Sequence, residues 1–365
     1  MPALPASDPG SNQPEQRRRI AVIGAGSWGT ALAVSLAGEG GHDVVLWARR
    51  EGAAEAMRRT RRNAEYLPGA TLPDTLRITS DLEDAVADRD LWVVAVPSQS
   101  VRHVAGRLAD LVTPAHTVVS VAKGIETDTL LTTSQVLIEA LPNADPSRIG
   151  VLYGPSHAEE VGGQLPTTVV VAMGDDAEAE RVQAAFMTDT LRVYRNADVI
   201  GVEIAGSVKN VMALAAGMCD GVGLGDNAKA AMVTRGLAEV KRLGLAMGAD
   251  PLTFAGLAGI GDLVVTCFSK HSRNRHVGEE VGKGRPLDEV QEEMNMVAEG
   301  VKTTRSALAL ARKHGVEMPI TEAVHAILFE GKPPEEAVCE LMTRTPKRED
   351  QLVGEWRLRG SEAST

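Results

Sequence analysis

The sequence predicts an α/β fold, a doubly wound sheet followed by an all-α C-terminal domain. Three observations carry that expectation. Short runs rich in Val and Ile alternate with helical stretches through the first half of the chain. A glycine-rich turn, Gly24-Ala25-Gly26-Ser27-Trp28-Gly29, sits between the first apolar run and the first helical stretch. From about Glu203 onward Ala, Leu, Met and Gly recur at helical spacing and continuous Val/Ile runs nearly vanish.

The apolar runs at 19–24, 44–48, 91–96 and 117–122 read as strands buried on both faces, with helices expected at 30–38 and 101–111. Alternation of this kind implies right-handed βαβ units around a parallel sheet. Further β-like runs at 149–153, 167–173 and 191–194 extend the sheet before the first domain closes. The second domain is expected to be mostly helical to about Arg344, with a helix start at Pro319 capped by Thr321. The division is a disordered N-terminal tail over 1–18, a nucleotide-binding domain over 19–202, a helical substrate and catalytic domain over 203–344, and a flexible C-terminal tail over 345–365. Ligands of such a sheet bind at the carboxyl ends of its strands, so a cleft is expected between the domains.

Bulk composition narrows the function. A net charge of −11 argues against nucleic-acid binding, which needs a broad basic surface. It leaves room for a small anion, because a few local cations dominate inside a cleft. The Pro/Ser/Ala-rich start, followed by Arg17-Arg18-Arg19 and a short glycine-broken apolar run, fits neither a signal peptide nor a membrane span. Cys219, Cys267 and Cys339 lack the spacing of a zinc site or redox dithiol, and lone thiols suit a reducing cytoplasm.

The glycine turn completes GxGxxG in the context its mechanism requires, after a strand and before a helix expected near Thr30. Gly24 permits the tight turn, Gly26 lets a dinucleotide's pyrophosphate approach the backbone, and Gly29 allows close helix–sheet packing. The helix N-terminus adds free N–H groups and a positive dipole end. This makes the first domain Rossmann-type and implies a nicotinamide cofactor. After the second strand, where NAD sites often carry an acid, the chain reads Ala48-Arg49-Arg50-Glu51. A guanidinium suits a 2′-phosphate, so NADP(H) is favoured over NAD(H), although Glu51 is an acid within reach of the ribose. Ala95-Val96-Pro97-Ser98 closes a further strand, and backbone contacts to the cofactor are expected there.

Cations and polar residues then cluster in sequence. Lys123 follows a buried strand and lies on the ligand edge of the sheet. Lys209 is the only charged residue between Glu203 and Asp220, in a helix of small apolar residues. An unpaired ammonium buried there would be costly unless it lined a cleft or met a partner. Burial and nearby cations lower a lysine's pKa, which suits proton transfer near neutrality. Asp262 ends the glycine-rich run 256–261 and is placed either to orient Lys209 or to cap a helix starting at Leu263. Ser272-Arg273-Asn274 could bind a phosphate, with Arg273 as a bidentate donor. His271 and His276 flank that tripeptide without metal-ligand spacing, and hydride transfer from a nicotinamide needs no metal.

These segments together resemble the bacterial-type NAD(P)-dependent glycerol-3-phosphate dehydrogenases. The carrying stretches are GAGSWGTALA (24–33), AKGIE (122–126), GPSHAEE (154–160), SVKNVMALAAGMCDG (207–221), LAGIGDLVVTC (257–267), SRNR (272–275), VAEGVKTT (297–304) and GVEMPIT (315–321). The chain departs from the family in an additional glycine at Gly40-Gly41 and in Ile260, where the family carries leucine. The resemblance implies that Lys209 donates and accepts the proton at the substrate's C2 oxygen. It implies that Lys123, Gly154, Ser156, Asp262, Ser272, Arg273 and Asn274 hold the substrate, with Arg273 near its phosphate. Ser27, Trp28, Arg49, Lys123, Ala158, Arg273, Val297 and Glu299 would contact the cofactor, beside Gly24, Gly26 and Gly29. The implied reaction interconverts dihydroxyacetone phosphate and sn-glycerol 3-phosphate for phospholipid synthesis, in a cytoplasmic homodimer. A related hydroxy-acid dehydrogenase would instead prefer a carboxylate substrate, and a nonenzymatic NAD(P) sensor would have no need of the Lys209–Asp262 pair.

Overall fold

A computed structural model describes residues 17–294, 296–346 and 348. Most of the two expected tails therefore lies outside the described residues. Arg18, assigned above to the N-terminal tail, bonds Asp90 at 2.6 Å.

The first domain is one eight-stranded sheet built from β1 (Arg19–Ile23), β2 (Asp43–Trp47), β3 (Arg77–Thr79), β4 (Leu91–Val94), β5 (Thr117–Ser120), β6 (Ile149–Tyr153), β7 (Thr167–Met173) and β8 (Leu191–Asn196). Their spatial order is β8-β7-β6-β5-β4-β1-β2-β3. The stretch β3-β2-β1-β4-β5-β6 is the doubly wound order, with its direction of winding reversing between β1 and β4. All pairs from β3 to β6 are parallel, as expected from the continuous apolar runs. The pair β6–β7 is antiparallel, so the sheet becomes mixed where the further β-like runs extend its parallel part. The helix expected over 101–111 is shorter, Val101–Gly106, and β3 carried too short an apolar run to be recognised.

Helix α1 spans Ser27–Ala37 and starts three residues before the expected Thr30, so its free N–H groups open directly onto the glycine turn. Helix α2 (Glu51–Thr60) follows β2. The second domain is helical: α3 (Val199–Val222), α4 (Gly225–Ala246), α5 (Asp262–Phe268), α6 (Arg273–Gly282), α7 (Glu299–Lys313) and α8 (Pro319–Phe329) lead it. Helix α3 begins at Val199, slightly before the expected change of texture. It is long and apolar enough to cross a membrane, yet 89% of its most apolar window is buried within the fold, which makes it the core helix of this domain. Thr321 does not cap α8; Met318 occupies that position. The N–H groups of Ile320 and Thr321, buried and without a partner in their own helix, donate to the buried Glu239 carboxylate at 2.7 and 3.2 Å, so a side chain from α4 serves as the cap.

Helices α3 and α6 cross with almost no side chain between them. A Cβ added to Gly217 would lie 2.0 Å from the Arg275 carbonyl oxygen, and one on Gly278 would lie 2.0 Å from that of Leu214. This approach brings Asn210 on α3 and Asn274 on α6 within 3.0 Å of each other. Gly217→Ala should therefore force the helices apart and cost about 1–3 kcal/mol. Thermal unfolding followed by circular dichroism checks it; an unchanged midpoint would mean that the crossing is not tight.

Candidate active site and cofactor cleft

A cleft of about 720 Å³ runs along the carboxyl ends of the strands and between the two domains. Its size is that of a site for a cofactor or drug-sized ligand. The glycine turn forms one end. Gly24 adopts φ +123° beside the Ala95 carbonyl, where only glycine fits, and a Cβ on Gly29 would strike the Gly24 carbonyl at 2.0 Å. A Cβ on Gly26 would meet nothing within 4 Å, so this backbone stays open for a ligand to approach. Gly24, Gly26, Ser27 and Trp28 line the cleft, whereas Gly29 lies behind it. The buried Trp28 indole nitrogen has no hydrogen-bond partner.

Beyond the turn, Arg49 and Arg50 edge the cleft. Arg50 is paired with Glu65. Glu51, the acid considered for the ribose, is turned away, bonded to Arg58 at 2.5 Å and to the Ser80 hydroxyl.

The polar centre lies at the other end. Lys209 projects from α3 and is 5% exposed. Its Nζ donates to Asp262 Oδ1 at 2.5 Å and to Thr266 Oγ1 at 2.5 Å. Lys123, at the end of β5, donates its own Nζ to Asp262 Oδ2 at 2.7 Å and to the Gly154 carbonyl at 2.9 Å. One carboxylate, 1% exposed, thus bridges two ammonium groups, one from each domain. Spacing alone would also allow a surface position for Lys123 and Lys209, and the buried bridge excludes it. A capping role is likewise excluded for Asp262, which is the first residue of α5 and has no side-chain cap bond. The chain reaches it through a kinked turn at Leu257–Gly261, where Gly259 packs against the Phe254 backbone too closely for any Cβ. Burial pulls the Lys209 ammonium from its ordinary value down to about 8; Asp262 opposes this and Lys123 adds to it.

The other expected residues divide in two. Ser156, Ala158, Ser272, Arg273, Asn274, Val297 and Glu299 line the cleft, while Gly154 lies behind it. The Gly154 carbonyl also accepts from Ser156 Oγ at 2.9 Å, so its place is to hold Lys123 and Ser156. Ser272 caps α6 by accepting from the Arg275 amide at 3.2 Å. Asn274 donates to Asn210 and accepts from the Gly300 amide at 2.9 Å, so it braces α3 against α7. Arg273 is exposed and donates to the Val297 carbonyl at 3.0 Å. Glu299, opening α7, accepts from the Ser98 amide at 3.2 Å and hydroxyl at 2.5 Å. Burial raises its carboxyl above the ordinary range, against those two bonds. Ser98 thus contributes a side-chain bond between the domains.

Sequence reasoning missed three residues here. Thr266 lies one helical turn after Asp262, a spacing that could have revealed it. His157 lines the cleft with a buried, unpartnered Nε2, and burial, reinforced by the Lys209 charge, holds its imidazole below the usual value. Glu65 had no signal, since only folding brings it to Arg50. Among the described residues no group of His, Cys, Asp and Glu could hold a metal ion, and all three cysteines are free.

Residues 19–179 match the family described as NAD-dependent glycerol-3-phosphate dehydrogenase N-terminus, and residues 198–339 match its C-terminus. A glycerol-3-phosphate dehydrogenase [NAD(P)+] of Salinibacter ruber is 62% identical, covering 91% of this chain and 96% of the relative. One from Prosthecochloris aestuarii is 58% identical, covering 90% and 99%. The crystal structure of a glycerol-3-phosphate dehydrogenase from Coxiella burnetii superposes with a TM-score of 0.86 at 38% identity, covering 90% of this chain and 99% of that one. The chain belongs to the NAD(P)-dependent glycerol-3-phosphate dehydrogenase family.

Proposed function

We propose that the protein reduces dihydroxyacetone phosphate to sn-glycerol 3-phosphate and catalyses the reverse, with Lys209 as the proton donor and acceptor at C2. The observation that carries this reading is the Lys209–Asp262–Lys123 bridge facing the same cleft as the glycine turn. The cleft fits a nicotinamide dinucleotide: the backbone at Gly26 is open, and the Trp28 N–H is buried and unpartnered beside it. When bound, the cofactor supplies or accepts the hydride at C2.

Lys209 in its ammonium form gives a proton to the oxygen that becomes the alkoxide, and in its neutral form removes that proton in the reverse direction. Lys123 and Lys209 together place positive charge where the oxygen becomes negative, in a largely dry site. Asp262 keeps both lysines in place and offsets part of their repulsion. Arg273 suits the phosphate, whose binding holds C2 in line for the transfer. Asn274 and Ser272 act on this end by fixing α6 against α3 and α7. A carboxylate substrate is a poorer match, because the two domain matches and the relatives point to the phosphate ester.

The finer aspects belong to the same reading. NADP(H) is the preferred cofactor and NAD(H) is accepted: Arg49 stands at the ribose end without an ion pair among the described residues, and Glu51 is occupied elsewhere. The protein acts in the cytoplasm as a homodimer formed through the helical domain, and its product feeds phospholipid synthesis.

Absorbance at 340 nm with dihydroxyacetone phosphate and NADPH or NADH tests the reaction directly. Substrate-dependent oxidation of the cofactor is expected with both, faster with NADPH; cofactor binding without oxidation would contradict the assignment. Lys209→Met should lower kcat by about 10²–10⁴-fold while cofactor binding is retained. Near-normal turnover would remove Lys209 from the chemistry. The pH profile carries a sign. Reduction needs the ammonium, so its rate should fall as pH rises through about 8, and oxidation should rise through the same range. Asp262→Asn removes the group that raises the Lys209 pKa, so both limbs should move to lower pH. Limbs left in place would show that another group is being titrated.

A further inference from the structure

The reading of the cleft as a dinucleotide site leaves open why a chain with two adjacent arginines at the ribose end should accept NAD(H). The answer lies in the segment that follows α2 and folds back beside the end of β2. The loop after α2 enters a two-stranded hairpin, Arg62–Asn63 with Leu67–Thr71, and its turn carries Glu65 and Tyr66 into the cleft wall. This loop is clamped to the glycine turn. Asn63, 4% exposed, donates to the Ala25 carbonyl at 2.9 Å and to Thr30 Oγ1 at 2.8 Å. The Tyr66 amide returns to Asn63 Oδ1 at 3.3 Å. Glu65 is thus delivered by a fixed element and meets the Arg50 guanidinium directly.

Given the dinucleotide reading, we propose that Glu65 is the cofactor-specificity residue of this site, an acid that offsets Arg50 and so holds the enzyme between NADP(H) and NAD(H). A 2′-phosphate arriving at Arg49 and Arg50 meets a net charge of about +1 instead of +2, and must either displace Glu65 from Arg50 or tolerate the carboxylate nearby. A 2′-hydroxyl does the reverse: it is a neutral donor, and the carboxylate is an acceptor. Glu65 occupies the chemical role that NAD sites assign to an acid at the end of the second strand. Glu51, the acid standing there in the sequence, is bound to Arg58 and Ser80 and faces away. The Glu65 and Arg50 side chains are about half exposed, so the pair is accessible to a ligand and its removal should not threaten the fold.

The test is direct binding without substrate, following the fluorescence of NADPH and of NADH titrated into the full chain, wild type against Glu65→Gln. Glu65→Gln should tighten NADPH and weaken NADH, raising the ratio of the two affinities about fivefold. The same shift should appear in the ratio of kcat/KM values for the two cofactors. Glu51→Gln serves as the comparison and should leave the ratio unchanged. A ratio that does not move with Glu65→Gln, or that moves equally with Glu51→Gln, overturns the proposal while leaving the cofactor site intact. Failure of the wild type to bind either cofactor overturns the dinucleotide reading, and this proposal with it.

Discussion

The site depends on one carboxylate placed between two ammonium groups. Lys209 and Asp262 come from the helical domain and Lys123 from the end of a sheet strand, so the bridge is also a joint between the domains. Neither lysine could be buried there alone, because an unpaired charge in a low-dielectric interior costs several kcal/mol or forces neutralisation. With two cations sharing one anion, the compensation is incomplete. That incompleteness adds to burial in bringing the Lys209 pKa down to about 8, and in the proposed mechanism it keeps net positive charge where the alkoxide would form. A one-to-one pair would hold its proton more firmly and offer less charge to the substrate.

The packing around the bridge serves to keep it in register. Glycines at the α3–α6 crossing let Asn210 and Asn274 meet, and Asn274 in turn takes the first turn of α7. That helix presents Glu299 back to Ser98 at the end of β4. A second fastening lies deeper. Glu203 on α3, fully buried, accepts from Thr133 Oγ1 at 2.9 Å and from the Ser134 amide and hydroxyl at 2.8 and 2.5 Å. Lys209, less than two turns further along the same helix, is therefore fixed against the sheet domain as well as within its own. The cleft is shaped by these contacts, and its two ends differ in chemistry: an open backbone turn at one and a buried charged centre at the other.

Much of this was legible in the chain because local chemistry and long-range placement agreed. The apolar runs of β1, β2, β4 and β5 are buried on both faces, and the glycine turn had the flanking strand and helix its mechanism requires. Lys209 stood out because a lone charge in a small-residue helix has few stable explanations. Other features depend on contacts that no local pattern encodes. The antiparallel entry of β7 follows from the path of the connection after Gly154, and its own apolar run reads the same in either direction. Thr321 looked like a helix cap, yet Glu239, 82 positions away, satisfies those N–H groups from another helix. Asp262 looked equally suited to capping until folding placed both lysines beside it. Glu51 and Glu65 exchanged importance for the same reason: proximity in sequence put one beside the arginines, and folding put the other there.

The central claim is that burial between Lys123 and Asp262 tunes Lys209 for proton transfer. Its most direct measurement is the titration of the Lys209 ammonium itself, by NMR of the free protein carrying isotope-labelled lysine, with the resonance assigned by its loss in Lys209→Met. The account predicts a midpoint at about 8. A midpoint near the ordinary lysine value of about 10.4 would contradict it and leave the bridge a structural tie without a role in moving the proton.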